Sequence, residues 1–167
     1  MKLIPVITHH GQPVPLARHR YPRYGTPYLP AHCRNARQEL RDHIDSLHIS
    51  MIDEPVCVIV HFFFEIKKAP AMDTWKATRG DLDNHVKMVL DSIAWVERKT
   101  KVKRGILADD ALVVELRATK KYCKKGDKPR TVIFIREPDT DGHQEAERYM
   151  RKIKQLRIEL EEQQRRK

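Results

Sequence analysis

Asp81, Asp83 and Lys87 open the run GDLDNHVKMVLD, and Asp109 and Asp110 open the later run DDALVVEL. In the first run a helix is expected, so Asp81 can cap it while Asp83 sits in its first turn, which converges both carboxylates near the positive end of the helix dipole. Asp83 and Lys87 are spaced i, i+4 and share a side at the margin of the apolar stripe, and Asp91 continues that row towards solvent. Alone, this motif is adequately explained by dipole stabilisation of about 0.3–1 kcal/mol per carboxylate and a surface ion pair. The second run changes the balance. As a strand it would place Asp110 on the face of Leu112, Val114, Leu116 and Ala118, with Asp109 opposite beside Val113, Glu115 and Arg117. Asp110 is then a carboxylate at the rim of the face a helix would cover.

Carboxylates gathered in this way conflict. Two unit charges about 4 Å apart repel by roughly 4 kcal/mol at an effective dielectric of 20, so one would be driven to protonate unless a cation joined them. Hard oxygen ligands suit Mg²⁺, or Mn²⁺ as a substitute. Such an ion can polarise a phosphoryl oxygen and generate a hydroxide nucleophile, with Lys87 stabilising the charge that develops in the transition state.

The rest of the composition supplies the substrate class. Thirty-three Lys and Arg against 23 Asp and Glu give a net charge of +10, which points to a polyanionic partner. A chain of 167 residues holds one domain and an appendage. The longest apolar run, Val56 to Phe64, is interrupted by His61 and falls far short of the roughly 18 residues of a membrane span. The N-terminal MKLIPVITHH stops before it could form a secretory core, so a cytoplasmic location is expected. Cys33, Cys57 and Cys123 fit neither a disulfide framework nor a CxxC site. No histidine stands at zinc-ligand spacing, and no small-molecule cofactor is expected.

Hydrophobic periodicity and turn signals predict the elements. A first strand is expected over Lys2–Thr8, followed by a proline-punctuated loop from Gly11 to Pro30. The loop interleaves Arg18, Arg20 and Arg23 with Tyr21, Tyr24 and Tyr28, a pattern that suits phosphate contact and base stacking, and equally an ordered connection whose tyrosines pack on the domain. A helix follows over Ala31–Leu47. Val56–Ile66 is apolar on both alternating faces and reads as a central strand covered on both sides or buried by a dimer, with His61 a satisfied core residue. Trp75, in the irregular segment after it, is expected to anchor that loop in preference to stacking on a base. The acidic helix runs from Asp81 to about Glu97, with Leu82, Val86, Val89, Ile93 and Val96 as its buried stripe, and ERKTKVKRG follows as a basic turn. Strands over Asp110–Lys121 and Arg130–Glu137 form a hairpin with a basic connection. Lys120, Lys121, Lys124, Lys125, Lys128 and Arg130 are its candidate DNA-backbone contacts. The expected fold is α+β: a single compact domain with a mixed sheet of about four strands and helices packed on it, over residues 1–140. An extra charged helix occupies 141–167, with Met150, Ile153, Leu156 and Leu160 on one side.

The run GDLDNHVKMVLDSI followed by GILADDALVVELRATKKY resembles the RusA family of Holliday junction resolvases, marked by a D-x-D-N-x-x-K-x-x-x-D helix and a D-D-x-x-V-V strand. PVPLARHRYPRYGTPYLP is similar to the N-terminal loop of phage-borne members, so the resemblance spans Lys2 to Glu137. It implies a homodimer that binds four-way DNA junctions and cuts two opposing strands symmetrically with Mg²⁺ or Mn²⁺, in a bacterial or phage-infected cell. It also implies that Asp81, Asp83 and Asp110 bind metal and that Lys87 is catalytic. Gly80 departs from the pattern, because some relatives carry a basic residue there, and Arg79 is the candidate to replace that DNA contact. Two rival functions remain: a non-catalytic DNA-binding module of the same shape, and a D-x-D nucleotide-sugar transferase, which would not need the basic surface.

Overall fold

A computed structural model of the chain describes residues 6–21, 23–66, 74–78, 80–97, 99–139, 150 and 154–155. Two units divide between Glu137 and Pro138. The first is α+β. Its strands β1 (Ile7–His10), β2 (Val56–Phe64), β5 (Val113–Tyr122) and β6 (Arg130–Arg136) form a mixed sheet in the order β1-β6-β2-β5. β6 is antiparallel to both β1 and β2, whereas β2 and β5 are parallel. Helices α1 (Ala31–Ser46) and α2 (Leu82–Ile93) pack on one face, and a small ladder of β3 (Ala94–Val96) and β4 (Lys103–Gly105) follows α2. Of the expected C-terminal helix, Met150, Lys154 and Gln155 are described, and they are helical; Ile153, Leu156 and Leu160 lie outside the described residues. No helix among the described residues is long and apolar enough to cross a membrane.

β2 is central, as its composition demands, and its alternation decides which face is sealed. Val58, Val60, Phe62 and Phe64 are buried against Leu40 and Ile44 of α1 and Val86, Val89 and Ile93 of α2. On the other face Ile59, His61 and Phe63 are half-buried, so covering on both sides is not found among the described residues. Local pairs shield that face instead: His61 Nδ1 lies 2.7 Å from Thr119 Oγ1, and the Arg130 guanidinium stacks 4.4 Å from the Phe63 ring centre.

Two expected boundaries and one expected pairing differ for identifiable reasons. The acidic helix ends at Ile93 rather than near Glu97, because the Ile93 carbonyl accepts the N–H groups of Ile106 and Leu107 at 2.8 and 2.9 Å. Ala-Trp-Val then pairs as β3, and Val96, assigned to the buried stripe, is exposed. Strand β5 starts at Val113, not Asp110, because Asp110–Leu112 forms a 3-10 turn capped by Asp109. Finally, β5 and β6 are not a hairpin. β2 lies between them, and the basic connection passes over its end, where Cys123 N–H donates to the Phe64 carbonyl at 2.8 Å. The run of apolar residues in β2 claims the middle of the sheet, leaving the more polar β5 at the edge.

His85 is 2 % exposed, sandwiched between Phe62 and Phe64 with ring centres 5.2 Å from each, and its Nδ1 has no hydrogen-bond partner. Burial first, and then the ammonium groups of Lys120 and Lys76, outweigh the opposing Asp81 charge and push its pKa down from 6.5 to about 4. Between those values the unfolded chain takes up a proton that the folded protein refuses, so stability falls as pH falls through this window, by up to about 3 kcal/mol. Urea denaturation in metal-free buffer at pH 7 and 4.5 should show that loss, and His85→Phe should reduce it. Gly105 has φ +89°, and an added Cβ would lie 2.4 Å from the Ile93 carbonyl oxygen. Gly105→Ala should cost about 2 kcal/mol or more in the same measurement.

Candidate metal and DNA site

Asp81 occupies the N-cap position of α2 with extended backbone (φ −65°, ψ 144°), but its carboxylate makes no capping hydrogen bond. It is exposed, as is Asp83 in the first turn. The approach to Asp81 is firmly braced. The Lys120 ammonium donates to the Gly80 carbonyl at 2.6 Å and to the Thr78 carbonyl at 3.2 Å. From beneath, the His85 ring fills the space beside Gly80, whose φ is +97° and where an added Cβ would lie 2.9 Å from His85 Nε2. A side chain at position 80 is therefore incompatible with this turn, which accounts for the glycine where some relatives place a basic residue. Arg79, the suggested replacement, lies outside the described residues.

α2 then leads into a cleft of about 510 Å³ between itself and β5. Leu82, Val86 and Leu90 from the helix, with Leu116 and Ala118 from the strand, make an apolar floor. Asp83, Lys87, Asp91 and Asp110 supply its polar groups. The two acidic motifs, far apart in sequence, thus meet at one concavity. Asp81 is not among its lining residues, and no group of three or more His, Cys, Asp or Glu among the described residues is placed to hold a metal ion. Asp83 and Asp110 are the pair that shares the space. Asp110 arrives there from the 3-10 turn rather than from a strand face. The carboxylate of Asp109 is engaged in that turn, accepting the Ala111 N–H at 2.9 Å, and this bond holds its pKa below the ordinary aspartate value.

Lys87 pairs forward with Asp91, Nζ to Oδ1 at 3.4 Å, rather than back with Asp83. Asp91 is half-buried, not turned to solvent as its place on the wheel suggested. It also faces Arg37 at 3.9 Å, and its backbone carbonyl accepts from Arg41 at 2.6 Å. This holding role of Asp91 is not readable from its own helix, because α1 contributes both arginines. Among the described residues no side chain is paired with the Asp83 carboxylate, which leaves it available to a ligand.

The expected DNA contacts divide. Lys120 is committed to the brace, and Arg130 stacks on Phe63 and donates to the Lys128 carbonyl at 3.1 Å. Lys124, Lys125 and Lys128 are exposed on the β5–β6 connection, and Lys121 lies 4.5 Å over the Trp75 ring. In the N-terminal loop Arg18, Arg20 and Arg23 are exposed, and so are Tyr21 (80 %), Tyr24 (82 %) and Tyr28 (47 %). Tyr21 and Tyr24 thus stand largely clear of the domain, and Tyr28 is partly covered. The loop itself is held near the acidic helix, since Leu16 N–H donates to the Asn84 carbonyl at 2.9 Å and Arg20 bridges Tyr28.

A family model described as Endodeoxyribonuclease RusA matches residues 10–136. No curated protein matches the sequence. The matched span takes in both acidic motifs, the cleft between them and all but the first residues of the four-stranded sheet, and the chain belongs to the RusA endodeoxyribonuclease family.

Proposed function

We propose that the protein is a metal-dependent endonuclease that resolves Holliday junctions or related branched DNA by symmetric phosphodiester hydrolysis. The observation that carries this reading is the shared cleft, in which Asp83 and Asp110 from separate motifs stand with a lysine on a chain of net charge +10. The donor set fits Mg²⁺, or Mn²⁺ in its place, because such an ion keeps several waters and needs only one or two protein carboxylates besides substrate phosphate. Asp83 and Asp110 would hold it; Asp81, the third expected ligand, stands at the helix N-cap outside the cleft lining. When bound, the ion supplies a polarised phosphoryl oxygen and a water of lowered pKa.

The chain's own groups do the remaining work. Lys87, oriented by Asp91, faces the phosphate and offsets the negative charge that grows during hydrolysis. The apolar floor excludes water and strengthens that interaction. Arg18, Arg20 and Arg23 of the N-terminal loop, with Lys124, Lys125 and Lys128 of the β5–β6 connection, bind the backbone by counterion release, so affinity falls steeply with salt. Cutting two opposing strands symmetrically requires two such sites, which a homodimer provides.

One observation favours a second reading, a structure-selective DNA-binding module without catalysis: three ligating carboxylates are not gathered among the described residues. Cleavage of a mobile four-way junction with Mg²⁺ separates the two. Asp83→Asn and Lys87→Ala should each lower the cleavage rate by roughly 100-fold or more, with junction affinity unchanged or, for Asp83→Asn, tighter. If wild type and both variants bind the junction equally and none cuts it, the binding module is the correct reading.

A further inference from the structure

Trp75 is expected from sequence to anchor its loop, and the structure separates the two halves of that expectation. The backbone is anchored. Trp75 forms an antiparallel bridge with Lys121; on either side Lys76 N–H donates to the Lys120 carbonyl at 3.0 Å and Tyr122 N–H to the Thr74 carbonyl at 2.9 Å. The segment 74–76 is in effect a short outer strand on the edge of β5. The indole is not buried: Trp75 is 64 % exposed. Burying an indole is among the largest single gains a side chain can bring to a core. A ring held out on a rigid ladder is therefore poorly explained by stability.

We propose that Trp75 is a stacking platform for an unpaired base at the branch point, and that it sets the preference for branched over linear DNA. This rests on the reading of the protein as a nuclease of branched DNA. Three features of the surroundings support it. The Lys121 ammonium lies 4.5 Å over the ring and covers one face, which leaves the opposite face for a base and keeps a cation close by for its phosphate. The strap leads towards the acidic helix: Lys120, the bridge partner's neighbour, also holds the carbonyls of Thr78 and Gly80, which lie between Trp75 and the helix N-cap Asp81. Six residues span at most about 20 Å, or about six base steps at 3.4 Å, so a base on the indole belongs to the same branch as the phosphate in the cleft. Bases inside a duplex are already stacked and cannot use such a platform, whereas a branch point presents bases that can. Tyr21 and Tyr24 are more exposed still, but they sit on a loop bridged once, between Arg20 and Tyr28, and not on the sheet.

The test compares full-length wild type, Trp75→Ala and Trp75→Tyr without divalent metal, on a four-way junction carrying 2-aminopurine at the branch or within an arm, and on linear duplex. Wild type should quench the branch-point probe and leave the arm probe alone. Trp75→Ala should bind duplex as wild type does, lose about tenfold in junction affinity, and leave the branch-point probe bright. Trp75→Tyr should restore most of both signals. Circular dichroism melting should be unchanged in either variant, because the ring is exposed. A Trp75→Ala protein that binds the junction and quenches the probe as wild type does overturns the platform and leaves the nuclease reading standing. A wild-type protein with no preference for the junction over duplex overturns both.

Discussion

The site depends on how the chain enters α2. A helix can begin wherever its first turn is capped, but the position of Asp81 and Asp83 relative to β5 is set by the ammonium of Lys120 on the carbonyls of Thr78 and Gly80. Hydrogen bonds from a charged donor are roughly twice as strong as neutral ones, and here they tie the approach to the helix to the strand that also carries the cleft floor. The neutral ring of His85 completes the support from below. Burial chiefly, with the neighbouring Lys120 and Lys76 adding to it, disfavours a proton on that ring.

With that entry fixed, the acidic residues sort themselves by what else they are doing. Asp109 is a cap, and the Asp91 carboxylate holds Lys87 and Arg37. Both are structural uses of a carboxylate, and both leave their neighbours freer to act. Asp83 has no described side chain to satisfy it, and Asp110 faces the same cleft. A protein of net charge +10 could neutralise either with a lysine at small cost, so leaving two carboxylates at the mouth of an apolar cleft favours a ligand that brings positive charge with it.

The fold was legible where one element buries one face. The stripe Leu82, Val86, Val89, Ile93 identified α2, and the apolar alternation of Val56 to Phe64 identified the central strand, because burial writes its period directly into sequence. What was not legible depended on partners distant along the chain. The periodicity runs on to Val96, but the Ile93 carbonyl is taken by Ile106 and Leu107, so the helix stops and β3 begins. Asp110 was assigned to the cleft through a strand face, yet it reaches the cleft through a capped turn; local side-chain bonding by Asp109 overrode the alternation. Strand order was beyond reach for a similar reason: a basic, glycine-containing connection between two strands reads as a hairpin, and only the competition for the sheet centre shows that β2 separates them.

The same competition explains why the site sits where it does. β5 is an edge strand, and an edge leaves backbone groups free to bind another segment. The strap 74–76 takes up that offer at one end, delivering Trp75 and, a few residues on, Asp81. At the other end the strand is preceded by the turn that carries Asp110. A central strand, already paired on both sides, could have received neither the strap nor its lysine brace. Moving the most apolar strand to the middle of the sheet is therefore not only a packing outcome: it frees an edge that receives the strap with its aromatic ring at one end and bounds the cleft of Asp83 and Asp110 along its length.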